Sequence, residues 1–100
     1  MENAQAQLAS VVVFDHDDAG YLRWRAAHLG GFVLNCAPRP AADYVVLHRA
    51  SCSSLAPPPG DSRNWTVAYV KVCADSVAPI ESWCHQQVGT GPQRCGMCHP

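Results

Sequence analysis

The apolar positions of this chain fall into short blocks whose period changes from one block to the next. A polar lead-in over residues 1–10 precedes an apolar run at 11–14, which is of strand length. Residues 18–29 change to helical spacing, with Tyr21, Trp24 and His28 on one stripe and Leu22 and Leu29 beside it. Asp15, Asp17 and Asp18 offer that helix an N-cap and first-turn carboxylates. Gly20 weakens its first turn, and Gly30-Gly31 ends it. Residues 32–36 and 43–49 are strands, joined by a connection stiffened by Pro38 and Pro40. Residues 51–64, with Pro57-Pro58-Pro59-Gly60, form a loop. Residues 65–73 alternate as the strongest strand, so Tyr69, Lys71 and Cys73 share one face. A second helix over 77–88 follows Ser76 as N-cap, accepts Pro79 in its first turn and is closed by Gly89. Ile80, Trp83, Cys84, Gln87 and Val88 share its face.

Three adjacent strands with non-helical connections predict an antiparallel sheet of three to four strands. Two helices pack on it with Trp24 and Trp83 turned inward, which is an α+β fold. A chain of 100 residues is expected to make one domain over 11–100, with 1–10 as a flexible lead-in.

Composition narrows the functional classes. Charged residues make up 15% and the net charge is −1, so no overall basic field announces a nucleic-acid partner. The N-terminal residues lack the basic region of a secretory signal, and the run at 11–14 is too short to span a membrane. The expected compartment is the cytoplasm, where reducing conditions favour metal-bound or buried thiols over disulfides.

Six cysteines make that choice consequential. The segment Cys95-Gly96-Met97-Cys98-His99-Pro100 sets two thiols three positions apart around a glycine, a spacing that lets both sulfurs face one centre from a tight turn. Zinc needs four ligands, so another pair must come from elsewhere. Cys52, just after the second strand, and Cys73, ending the third, complete a first set of Cys52, Cys73, Cys95 and Cys98. His48 is the first substitute and His99 the second. The unit His48-Arg49-Ala50-Ser51-Cys52 is usable if it curls and unusable if it stays extended. A structural zinc would order a tail with little apolar surface of its own. Cys84 on the apolar helix face and Cys36 at a strand end are core thiols.

Competing chemistries fit less well. A redox CxxC works at a helix N-terminus, which the two residues after Cys98 cannot form. Cys95-Gly96-Met97-Cys98-His99 is formally a haem-attachment pattern, but nothing follows it to build the apolar pocket haem needs. His16 among three aspartates is better explained by the solvated helix start. Arg23, Arg25, Arg49, Arg63 and Lys71 are candidates for a local patch contacting phosphates or a partner's carboxylates. Tyr44, Trp65 and Tyr69 would stack beside it, unless they belong to the core.

Tyr21-x-x-Trp24, Gly31 to Asn35, Leu47-His48-Arg49-Ala50-x-Cys52, Lys71-Val72-Cys73 and Cys95-x-x-Cys98 resemble a small cysteine-containing actinobacterial domain. That resemblance implies an association with restriction or mobile-element proteins and carries no function over. The expectation is a small module with structural zinc, binding nucleic acid or serving a DNA-processing or defence system. A protein-interaction or regulatory module is the alternative, and a zinc enzyme or thiol redox protein is a lesser one.

Overall fold

The computed structural model describes residues 11–55, 65–67 and 69–100. The expected lead-in, most of the proline loop and Arg63 lie outside the described residues. The elements are β1 (Val12–Phe14), α1 (Asp18–Ala27), β2 (Phe32–Cys36), β3 (Val45–Arg49), a single 3₁₀ turn (Ser53–Leu55), β4 (Val70–Ala74), α2 (Val77–Val88) and β5 (Gln93–Arg94). The fold is α+β, and the described residues form two helices and one sheet in the order β1-β4-β2-β3-β5.

The sheet has five strands rather than three or four, and it is mixed rather than antiparallel. β1/β4, β4/β2 and β2/β3 pair antiparallel, although only β2 and β3 are joined by a short connection. The fifth strand, Gln93–Arg94, returns from α2 and pairs parallel with β3 at Val46↔Gln93 and Leu47↔Arg94. Two polar residues carry no period, so no strand is legible there.

Each face of the sheet carries its own core. Leu34 lies between Leu47 and Val72, and Cys36 between Val45 and Val70. These residues pack with Ile80 and Cys84 of α2, with Trp83 against the edge of the cluster. On the opposite face Val33 lies between His48 and Cys73. Here the partners are Tyr21 of α1, Ala50, Cys52, Leu55 and Cys95, with Trp24 alongside. Both indoles are half-buried against these cores, and Cys36 and Cys84 are fully buried, as expected of core thiols.

The third central strand is shorter than its alternation predicts: it begins at Val70, not Trp65. Thr66 explains why. Its N–H and hydroxyl both donate to Asp18 Oδ1, at 2.7 and 2.6 Å, and its hydroxyl accepts from the Asp17 N–H at 2.7 Å. Its carbonyl accepts from His16 at 2.9 Å. Thr66 is thus committed to the start of α1 and is lost to the ladder. The Asp18 carboxyl is held below its ordinary range, since these hydrogen bonds outweigh the opposing effect of burial.

Helix ends follow the predicted chemistry with two changes. Asp17 caps α1 by accepting from Gly20 N–H at 2.9 Å, and any Cβ at Gly20 would fall 2.3 Å from the Asp17 carboxylate. Gly20 therefore makes room for the cap. The helix stops at Ala27, two residues early, because His28 N–H turns to Arg25 O while its Nδ1 takes the freed Trp24 carbonyl at 2.8 Å. Ser76 occupies the N-cap position of α2 without a side-chain capping bond. Gly89 ends α2 at φ 90°, the left-handed conformation glycine adopts cheaply. No helix among the described residues is long and apolar enough to cross a membrane.

Candidate metal centre

β3 ends at Arg49, and the chain curls at once. Ala50 N–H donates to Gly31 O, and Cys52 N–H returns to Arg49 O, both at 2.9 Å. The curl carries Cys52 back toward His48, the usable case for that spacing. The second half arrives through β5. Cys95 N–H donates to Leu47 O at 2.9 Å, extending the parallel pairing by one residue. The turn through Gly96 and Met97 is closed by His99 N–H on Cys95 O at 3.2 Å and brings Cys98 around.

One ligand atom from each of His48, Cys52, Cys95 and Cys98 lies within 4.8 Å of the other three. Zinc–sulfur bonds of about 2.3 Å and zinc–nitrogen bonds of about 2.1 Å make tetrahedral edges of roughly 3.5–3.8 Å. The Cys52 and Cys95 sulfurs stand 3.9 Å apart, close to that edge. Three of these candidate ligands are buried and Cys98 is half-buried. All six cysteines are free thiols. The group is able to hold a metal ion, and its donors are those of a closed tetrahedral site.

This group differs from the first-choice set at one position. Cys73 is not in this group, and His48 stands where it was expected. Cys73 and His48 lie on the same face of the sheet, but both pair with Val33, so a whole strand separates them. Two strand spacings of about 4.8 Å place them roughly 9–10 Å apart. Cys73 is instead fully enclosed, and burial pushes its thiol up to about 12, against the opposing effect of Lys71. His99 is exposed, at φ 50°, and stays outside the group.

The surroundings of the thiols favour anions at some positions and resist them at others. Backbone N–H groups of Cys98 and Met97 lower the Cys95 thiol against burial, the latter at 3.4 Å from its sulfur. Burial pushes Cys98 up to about 11 despite the Arg49 N–H at 3.2 Å, with Cys52 and Cys95 adding to the rise. Three thiolates this close repel one another, and a divalent cation removes that cost. Burial, then the charge of Lys71, lowers the His48 imidazole, which favours the neutral form that binds metal.

Outer contacts that the sequence did not reveal complete the site. The Ser54 hydroxyl stands 3.0 Å from Cys52 Sγ and 3.4 Å from His48 Nδ1, tying two candidate ligands together. Arg25 of α1 reaches the Cys52 carbonyl with Nη2 at 3.4 Å, and its Nε is buried without a partner among the described residues. Serine two residues after a candidate cysteine is too common a pattern to have been singled out.

Among the described residues the candidate basic side chains have different surroundings, and Lys71 is withdrawn from the surface. Lys71 is only 4% exposed, with its ammonium on Asn35 Oδ1 and facing the rings of Tyr21 and Tyr69 at 5.8 and 5.9 Å. Arg25 is half-buried, and Arg49 is exposed with its guanidinium bonded to the carbonyls of Cys98 and His99. Arg23 is exposed on α1. Of the aromatics, Trp65 is half-buried while Tyr44 and Tyr69 are partly exposed and tilted together, 5.2 Å between centroids. Comparison of the chain with protein-family models, with curated proteins and with solved structures finds no match.

Proposed function

We propose that the chain is a small zinc-binding module in which His48, Cys52, Cys95 and Cys98 hold one structural Zn²⁺. The observation that carries the proposal is the convergence of three thiols and an imidazole from two chain segments more than forty residues apart. Zinc suits this donor set because it takes thiolate and imidazole together in tetrahedral geometry. Four protein donors fill that geometry and leave no position for substrate or water, which favours a structural role over a catalytic one. The ion would fasten the C-terminal knuckle to the end of β3. Metal analysis of purified protein tests this: about one zinc per chain is expected, and metal-free protein that binds no added Zn²⁺ would overturn it.

The surface is proposed to serve a protein partner, in a regulatory or scaffolding role. The burial of Lys71 and the net charge of −1 support this over a phosphate-backbone partner. The exposed Val12 and Val13 on edge strand β1 support it further. Binding to single- and double-stranded nucleic acid at low and physiological salt discriminates the two. Tight binding that falls steeply with salt would restore the nucleic-acid reading.

A further inference from the structure

Arg49 holds the knuckle at three points. Its backbone N–H donates to Cys98 Sγ at 3.2 Å, its Nε–H to the Cys98 carbonyl at 2.9 Å and an Nη2–H to the His99 carbonyl at 3.0 Å. Cys98 is the ligand most in need of such support. It is the least buried of the four and lies in the C-terminal segment beyond the last strand. His99, immediately after it, holds a positive φ of 50°, an uncommon conformation for a non-glycine residue.

We propose that Arg49 is a positioning residue of the metal centre. This rests on the zinc reading above. The guanidinium fork fixes the two peptide units after the Cys98 side chain and so holds the Cys98 sulfur against the other three ligands. A planar fork with donors in fixed directions suits two adjacent carbonyls, whereas a lysine offers one mobile point charge. The sign of the charge also suits the site. Three thiolates and a neutral imidazole around Zn²⁺ carry a net −1, and Arg49 places a cation on the more exposed side of that centre. Outer-sphere partners of this kind orient ligands and tune affinity. Arg49 belongs to the metal centre, with its Nε–H and one Nη2–H committed to the knuckle carbonyls.

The test uses the full chain and two metals. Zn²⁺ affinity is measured by competition with a chromophoric chelator, and the ligand field by the absorption spectrum of the Co²⁺-loaded protein. Arg49→Ala should weaken Zn²⁺ binding by about 10–100-fold. Its Co²⁺ spectrum should lose part of the thiolate-to-metal charge-transfer intensity of wild type, as the Cys98 sulfur is no longer held in place. Arg49→Lys keeps the charge and should recover only a small part of the affinity. Arg39→Ala, which removes an exposed arginine from the 37–42 connection, should change neither. Affinity within about twofold of wild type and an unchanged Co²⁺ spectrum in Arg49→Ala would overturn the proposal. Full recovery by lysine would overturn it too, since charge alone would then suffice. A wild-type chain that binds neither metal removes the zinc reading itself, and this proposal with it. A wild-type chain that binds both while Arg49→Ala binds equally well removes this proposal alone.

Discussion

The N–H of Cys95 donates to the carbonyl of Leu47 at 2.9 Å, and that bond sets Cys95 level with His48 across the β3/β5 pairing. The strand pair is two residues long, yet it decides which four side chains meet. A slip of one residue would turn Cys95 to the opposite face of the sheet, away from Cys52.

Zinc content is the direct check on this geometry. Cys52→Ser, Cys95→Ser and Cys98→Ser should each lose the ion, whereas Cys73→Ser and Cys84→Ala should retain about one zinc per chain. The latter two should cost only packing and burial, about 1–3 kcal/mol on chemical denaturation. Loss of zinc from Cys73→Ser in protein that is still folded would return Cys73 to the ligand set.

The two histidines near the knuckle should separate cleanly. His48→Ala removes a buried candidate ligand, and zinc affinity measured by chelator competition should fall by at least about 100-fold. His99→Ala removes an exposed ring outside the ligand group, and affinity should stay within about threefold of wild type. In wild type the ion should leave on acidification, because protons compete for thiolates and imidazole alike. Equal losses in the two variants would show that the imidazole has been misassigned.

Much of this was legible in the chain. The stripe at Tyr21, Trp24 and His28 and the face at Ile80, Trp83 and Cys84 are strong helical periods, and both helices form. The CxxC spacing located half the candidate site because two ligands on one turn are a local property. The other half depends on which strands are neighbours. Cys52 is near Cys95 because β5 pairs with β3, and Cys73 is far from His48 because β2 lies between their strands. Neither fact has a local signal. Residues 65–69 misled for a different reason: their alternation is real, but the hydrogen bonds of Thr66 to Asp17 and Asp18 compete with the ladder.

Two glycines make contrasting predictions. At Gly31 an added Cβ would lie 2.8 Å from the Ala74 carbonyl oxygen and 3.1 Å from Trp24 Cη2. Backbone cannot yield cheaply there, so Gly31→Ala should destabilise by about 1–3 kcal/mol through steric overlap. Gly89 has open space around it but a φ of 90°. Gly89→Ala should cost about 1 kcal/mol through backbone strain alone. Thermal denaturation of both variants checks the order, and a Gly89→Ala cost larger than that of Gly31→Ala would contradict it.

Lys71 should make stability depend on pH in the alkaline range. It is buried on the α1 side of the sheet, and desolvation lowers its ammonium to about 8, against the opposing charges of Cys73, Cys36 and Asp18. The unfolded chain keeps the ordinary value of about 10.4. Between those values the unfolded state binds more protons than the folded one, so stability rises with pH through that window. Below pH 8 the whole cost of the buried charge is present, about 3 kcal/mol at 1.36 kcal/mol per pH unit. Lys71→Met keeps the aliphatic stem against Tyr21 and removes the charge, at the loss of the bond to Asn35. At pH 7 the variant should be more stable than wild type by about 1–2 kcal/mol after that loss. The advantage should shrink from pH 8 to 10.5 and then vanish or reverse. Cys36 and Cys73, raised to about 11 and 12 by burial, lower stability above about pH 9 in both proteins. The difference between variant and wild type is therefore the quantity to follow, by urea denaturation of zinc-saturated protein. A difference that stays constant from pH 7 to 10 would mean that the ammonium is not desolvated in the folded state.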